Sequence, residues 1–543
     1  MVGLGDVWRA LGRCEGAPGY GFGMTNRDAL RRIPGSAMAV LRRNWFFGVV
    51  LGLGFLLRLI TWLTYQPAML YIDSFRYLSN LRRMSVGGLD PVGYTLILWP
   101  LLHGGKLIGA GMAFTVAIQH LLGLAMSVVM YRICRGLGVA RWAAAVITIP
   151  VLLDGYQLQI EQNLMAEVWS DAFLLGAVWL LLAWRLRRRD EDTSSSGHRA
   201  NWGPLWWQAG MAGLLISANV PIRVIGAAAV VPFMAYLVLA GAHWRDRAWW
   251  RTMMVRLAAG LAGFGIVVGG YLAVSHEVAA PGGLSDGGAL LYGRAAEVAK
   301  CDQLPLDRYV AQVCPKEPLG QRRGVDAYAW DPPIVDHLPP DESVAQLRIK
   351  FTEIVLRHQP LDMVDAMAHD FVKGFAWTKT SSPGDTPLSR WQFQTDYPRW
   401  PSTDANRWTL QFDGTVPHVV KPLAIFLRGY QLSIGYTPGT LLGLAVLIGI
   451  AGTLRKSGGG STLRAESMLT IGIALALIGG AAIFEFSWRY QLPGLVFFPL
   501  AAAFGFTALT ERRTDPRVDP LRDWTRSGGL DDDGVAAGRD ERI

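Results

Sequence analysis

Apolar residues along this chain fall in long blocks, and arginine and tryptophan mark the block ends. Many blocks run about 18–22 residues, and about 20 helical residues cross a hydrocarbon core of roughly 30 Å. The pattern predicts spans over 45–65, 112–131, 142–153, 164–184, 205–218, 224–239 and 257–274, then over 437–454, 469–483 and 492–509. That makes about ten helices. The block at 142–153 is short and carries Pro150. The block at 94–103 is shorter still and reads as a helix lying in the interface, as does the amphipathic stretch 418–434. From 276 to 435 Pro, Asp, Lys, Arg and Trp are scattered and no block is long enough to span. Helical stretches are expected within 343–377, broken at Pro360.

Basic residues orient the spans. Arg42 and Arg43 precede the first block. Arg132, Arg135 and Arg141 follow the second, and Arg185, Arg187, Arg188 and Arg189 follow the fourth. Arg245, Arg247 and Arg251, then Arg455 and Lys456, then Arg512, Arg513 and Arg517 continue the alternation. Cytoplasmic loops carry such excesses, so both termini are expected inside, with Arg76, Arg82 and Arg83 departing from the rule. Five parts follow. Residues 1–44 are a cytoplasmic tail without the apolar core of a signal peptide. Residues 45–275 form a membrane module of about seven spans, whose first outer loop is 66–93. A periplasmic or extracellular segment covers 276–435, three spans close the membrane part over 436–510, and 511–543 is a charged cytoplasmic tail.

Composition agrees with this class. The 543 residues are 51% hydrophobic and 17% charged, with mean hydropathy +0.24, whereas soluble domains carry about 25% charged residues. The expected fold class is therefore an all-α polytopic membrane protein in the cell membrane. The net charge of +9 does not point to nucleic acid, because the arginines cluster at block ends. Cys14 and Cys134 fall in cytoplasmic segments. Cys301 and Cys314 share the outer segment, where the compartment permits a disulfide; two free buried thiols are the alternative. No Cys and His cluster has zinc spacing.

Candidate chemistry gathers on the predicted outer side. Asp73, Asp90, Glu161 and Glu167, Arg223 and Arg489-Tyr490 all lie where the chain leaves or re-enters a span. Charges beside hydrocarbon are costly unless paired or wet, and they tend to be functional. Asp73 reads as a general base or as the cap of a helix starting at Ser74. Asp90 precedes Pro91 and reads as a cap or as a contact to sugar or acceptor. Glu167 would orient an acceptor, hold a divalent cation with Asp73, or pair with Arg223 or Arg76; Glu161 is grouped with it. Arg489 and, less strongly, Arg223 suit a lipid phosphate through their guanidinium forks; a partner for Glu485 or a snorkelling side chain is the alternative for Arg489. Arg58 and His120 are the main polar residues inside spans.

Four short motifs carry a resemblance. An aspartate follows the first span, in Tyr71-Ile72-Asp73-Ser74. Pro91-Val92-Gly93-Tyr94 opens the interface helix. Leu164-Met165-Ala166-Glu167 places a glutamate at the mouth of a later span. Arg489-Tyr490-Gln491-Leu492-Pro493 stands near the end. In this order of parts the chain resembles the GT-C superfamily of integral-membrane glycosyltransferases, such as the protein mannosyltransferases, the lipid A aminoarabinose transferases and the mycobacterial arabinofuranosyltransferases. Many members have paired acids in the first outer loop; here Ser74 follows Asp73. The resemblance implies a sugar donor on a polyprenyl phosphate and a glycan, lipid or protein acceptor. It implies inversion at the anomeric carbon with Asp73 as base, and a phosphate held by Arg489, with Tyr490 or Arg223 assisting. The Arg-, Gly- and Ala-rich composition resembles actinobacterial proteins, which suggests a decaprenyl carrier and cell-wall synthesis. The readings from other classes are a transporter of a lipid-linked or anionic substrate and a non-catalytic envelope-assembly protein.

Overall fold

A computed structural model describes residues 42–82, 84, 91–191, 203–242, 244–278, 286–340, 342–382, 384–398, 402–454 and 463–510. Asp90, Arg83, Cys14 and almost all of the two predicted tails lie outside the described residues. The chain forms two compact units, Met1–Val49 and Val50–Ile543, and every site residue discussed below belongs to the second.

The described residues are helical except for turns, irregular stretches and one two-residue strand pair, Tyr65–Gln66 antiparallel to His418–Val419. Among the described residues six helices are long and apolar enough to cross a membrane: Trp45–Thr64, Gly111–Gly136, Glu167–Leu186, Arg247–Val274, Arg464–Phe484 and Trp488–Thr510. Arg141–Leu153 and Gly155–Gln162 form a pair bent by 50° that would be a seventh. Val224–Leu239 and Gly439–Leu454 are shorter apolar helices, and Trp206–Ala218 has 13 residues. All ten predicted blocks are thus helical, and the difference from the expectation is one of length and continuity. The bent pair has a local cause. Asp154 ends one helix in an extended conformation, and its carboxylate accepts from the Tyr156 N–H at 2.8 Å and the Gln157 N–H at 3.3 Å, which starts the next. Trp206–Ala218 packs closely along Arg247–Val278 because glycines face each other. A Cβ on Gly213 would strike the Gly260 carbonyl, and one on Gly263 would strike that of Gly210.

Arg58, deep in the first span and 2% exposed, is bonded through both terminal nitrogens. Its guanidinium donates to the carbonyls of Leu152 at 2.8 Å and Val151 at 3.0 Å, and to Glu161 Oε1 at 2.7 Å. Glu161 Oε2 lies 2.9 Å from His120 Nδ1, and His120 Nε2 lies 2.8 Å from Gln162 Oε1. Such charges persist in an apolar bundle only when paired and hydrogen-bonded. The network ties the break at 151–163 to the first and second spans.

The long segment after Arg247–Val278 folds on its own small core of Tyr292, Val313, Leu347, Phe351 and Val355. A disulfide joins Cys301 and Cys314, whose Cα atoms are 6.5 Å apart. The expected break at Pro360 separates Val344–His358 from Pro360–Lys373. The same segment reaches back to the first span. Tyr397 donates its hydroxyl to the Ala68 carbonyl at 2.8 Å and accepts from the Leu70 N–H at 3.1 Å. Trp408 and Phe412 pack with Tyr77, Tyr94 and Leu98. Asp413 accepts from the N–H groups of Met112 at 2.9 Å and Ala113 at 3.2 Å, and so satisfies the open start of Gly111–Gly136. An Asp413→Ala change should therefore cost about 1 kcal/mol. The check is a fall of a few degrees in the melting temperature of the detergent-solubilised protein.

Candidate active site

The loop after the first span positions Asp73. Helix Ile72–Asn80 begins at Tyr71, and Ser74, not Asp73, closes its start: the Ser74 hydroxyl accepts from the Tyr71 N–H at 3.0 Å and donates to the Leu164 carbonyl at 3.1 Å. Capping is thus done by the neighbour, and the Asp73 carboxylate faces elsewhere. Oδ2 pairs with Arg489 Nη1, and Oδ1 lies 3.6 Å from Arg76 Nη1 one turn on. Asp73 is 7% exposed.

Arg489 comes from the far end of the chain, 416 residues away. It sits in the 3-10 turn Trp488–Gln491, between Arg464–Phe484 and Leu492–Thr510. The turn is pinned by its neighbours. Trp488 Nε1 donates to the Thr380 carbonyl at 2.8 Å, and Gln491 Nε2 donates to the Gly374 carbonyl at 2.5 Å. Lys379 contacts Gln491 Oε1 and lies 4.6 Å from the Trp488 ring; burial pulls its ammonium down to about 8, partly offset by Asp154. The Arg489 guanidinium is sandwiched 5.0 Å from the Trp391 ring and 5.1 Å from that of Tyr490.

Glu167 opens Glu167–Glu191, and its Oε1 lies 3.8 Å from both Arg223 and Arg489. Arg223 precedes the 3-10 turn Val224–Ala229 and lies 5.5 Å over the Tyr490 ring. The Tyr490 hydroxyl is 3.2 Å from Arg489 Nη2 and 2.5 Å from Glu485 Oε1. Burial raises the Glu485 carboxyl, as do Asp326 and Asp73, against Arg489 and the Tyr490 hydrogen bond. Among the described residues no three His, Cys, Asp or Glu side chains converge as metal ligands; the guanidinium of Arg489 lies between Asp73 and Glu167.

The structure therefore brings together Asp73, Glu167, Arg223, Arg489 and Tyr490. It does not bring Glu161, which is 0% exposed and held by Arg58, His120 and Gln157. Its depth was readable, but not the direction its side chain takes. Asp90 is outside the described residues. Nothing in the local pattern pointed to Trp391, whose ring lies 4.7 Å from that of Tyr71 at a tilt of 52°, or to Arg390, which donates to the Tyr71 hydroxyl at 2.8 Å. Asp171, one turn beyond Glu167 and 1% exposed, has no hydrogen-bond partner on either oxygen among the described residues. Two adjacent guanidiniums can hold an oxyanion with several donors, and the carboxylates beside them can accept a proton or a hydroxyl.

No known protein family matches the chain, and no curated protein does. Similar solved structures include the following two. The archaeal oligosaccharyltransferase AglB from Archaeoglobus fulgidus, in complex with an inhibitory peptide and a dolichol-phosphate, shares 12% identity over 90% of this chain and 52% of its own, at a TM-score of 0.38. This chain thus spans about half the length of that enzyme. ArnT from Cupriavidus metallidurans in the apo state shares 12% identity over 88% of this chain and 78% of its own, at a TM-score of 0.29. At these TM-scores the likeness adds nothing to the site, whose chemistry stands on its own residues.

Proposed function

We propose that this protein is a membrane glycosyltransferase that moves a sugar from a polyprenyl-phosphate donor to an acceptor hydroxyl on the outer face of the membrane. The observation that carries the reading is the direct pairing of Asp73 with Arg489 beside Glu167 and Arg223. A base and an anion site share one place at the ends of membrane-length helices. That is where a lipid phosphate sits, and where its sugar would meet a water-borne acceptor.

The chemistry follows from the side chains. Arg489 and Arg223 bind the donor phosphate, and Tyr490, between them, adds a hydroxyl. A phosphate on Arg489 competes with Asp73 for the same guanidinium, so donor binding releases Asp73 Oδ2. Glu167 orients the acceptor. Asp73 takes the proton from the acceptor hydroxyl as its oxygen attacks the anomeric carbon opposite the phosphate. The C1–O bond to phosphate breaks, its electron pair stays on the phosphate, and the configuration inverts. The acceptor class is a cell-envelope glycan, lipid or protein. The test is sugar release or transfer by the purified protein with a panel of synthetic prenyl-phosphate sugars. Transfer from at least one donor, with inversion seen by NMR of the product, is the expected result. No transfer or hydrolysis with any donor, and no binding of prenyl phosphate, would overturn it.

A further inference from the structure

The site contains a carboxyl that the transfer above does not use. Glu485 ends Arg464–Phe484 in an extended conformation (φ −153°, ψ 162°), with its N–H on the Ala481 carbonyl at 3.1 Å. This break in the helix turns the side chain to Tyr490, 2.5 Å away. Among the described residues the phenol is its hydrogen-bond partner, and no Lys, Arg or His lies within ion-pair distance of it. Asp73 and Glu485 stand at the two ends of one chain of contacts: Asp73 to Arg489, Arg489 to the Tyr490 hydroxyl, and that hydroxyl to Glu485. A guanidinium does not pass protons, so the two carboxyls are separate proton stations. The Tyr490 ring lies between both arginines, 5.1 Å from Arg489 and 5.5 Å from Arg223.

We propose that Tyr490 and Glu485 are the proton-donating arm of this site: the Tyr490 hydroxyl protonates the departing prenyl phosphate, and Glu485 resupplies the phenol. The inference rests on the glycosyl-transfer reading and extends it. As the C1–O bond breaks, the phosphate oxygen keeps the electron pair and takes the Tyr490 proton. The phenol oxygen takes the Glu485 proton in the same motion. Prenyl hydrogen phosphate leaves, Glu485 is left as a carboxylate and Asp73 as the acid. Solvent then removes one proton from Asp73 and returns one to Glu485.

Two features suit Glu485 to this role. An ionised Glu485 holds the phenol hydrogen for itself, whereas a protonated one donates to the phenol oxygen and frees that hydrogen for the phosphate. The surroundings favour the acid. Glu485 lines a cavity of about 410 Å³, including its open mouth, walled by Phe375, Phe486 and Phe498. Asp370 lines the same cavity, and Asp326 and Asp73 act on Glu485 from two other elements, with Arg489 opposing them. Burial, Asp326 and Asp73 keep its proton on at higher pH than an ordinary glutamate, while Asp370 is paired with Arg294. The cavity mouth gives solvent a way to return it.

The experiment is a pH–rate profile of sugar transfer from the prenyl-phosphate sugar panel for wild type, Glu485→Gln, Tyr490→Phe and Glu485→Asp, with prenyl-phosphate binding measured alongside. Wild type should lose rate on the alkaline side. Glu485→Gln should flatten that limb and lower kcat by about 10–100-fold, the low end for a positioned acid, with KM for the donor little changed. Tyr490→Phe should flatten the limb and lower kcat likewise, with a rise in donor KM because its hydroxyl also meets the phosphate, and Glu485→Asp should restore the alkaline limb in part. Glu485 acts through Tyr490 and is a positioning residue, so the profile, not the loss of rate, is decisive. A wild-type profile in Glu485→Gln or in Tyr490→Phe would overturn the proposal alone, because wild type still transfers sugar. Failure of wild type with every donor would overturn the glycosyl-transfer reading and this one with it. If Glu485→Gln does not fold, Tyr490→Phe decides by the same criterion.

Discussion

Asp73→Asn should lower kcat for sugar transfer by about 10²–10⁴-fold, the range lost with a general base, or about 3–5 kcal/mol of transition-state stabilisation. The amide keeps the shape of the side chain but cannot take the acceptor proton. It also removes the negative charge that pairs with Arg489. A prenyl phosphate then no longer competes with a carboxylate for that guanidinium, so the variant should bind prenyl phosphate as tightly as wild type or more tightly. The pairing makes this split between rate and binding specific. A role confined to holding the loop would lower binding and rate together. Ser74, not Asp73, closes the start of Ile72–Asn80, and Arg489 keeps Glu167 at 3.8 Å and the Tyr490 hydroxyl at 3.2 Å, so the melting temperature should fall less than in Arg489→Gln. Measurement of kcat with the active donor, of prenyl-phosphate Kd and of melting temperature on one preparation tests all three. Wild-type activity in the variant would return Asp73 to a structural part and leave Glu167 as the candidate base.

Arg489→Gln should damage binding, rate and stability at once. Removing a preorganised donor from a developing oxyanion costs about 10²–10³-fold in kcat, and donor Kd should rise as well because the same fork holds the ground-state phosphate. Stability falls because the guanidinium lies between Asp73 and Glu167, and its loss leaves two neighbouring carboxylates with less compensation. Breaking a buried pair by removing one partner costs about 3–5 kcal/mol; here the side chain is 16% exposed, so the lower part of that range applies. Arg489→Lys should keep most of the stability but recover little of the rate. The native group uses two arms, Nη1 to Asp73 and Nη2 to the Tyr490 hydroxyl, and an ammonium cannot copy that fork. Donor affinity in Arg489→Lys that matched wild type would show that the arginine does not hold the phosphate.

Much of the architecture was legible from the pattern alone. Every predicted block is helical, and the break at Pro360 falls where the breaker stands. Local causes act over a few residues, so a local reading finds them. The shortfalls are also physical. Hydropathy reports that a block is buried, not whether it is one straight helix, and the block around Pro150 becomes a bent pair because Asp154 restarts the helix. Glu161 shows the same limit for chemistry. It was grouped with Glu167 by its place along the chain. In three dimensions it turns inward to Arg58 and His120, the two polar residues in spans that most needed partners.

The amino-acid order alone was enough to specify a polytopic helical membrane protein. It also set Asp73, Glu167, Arg223 and Arg489 apart as charges at the ends of apolar blocks. Such charges are conspicuous because burying them is costly wherever the chain goes. Only the tertiary structure decided that Asp73 meets Arg489 across 416 positions, that Trp391 and Tyr490 lie against that arginine, and that Glu485 stands behind Tyr490. These contacts depend on how helices far apart in the chain pack against one another. That packing is set by the shapes of many side chains together, and no short stretch of sequence contains it.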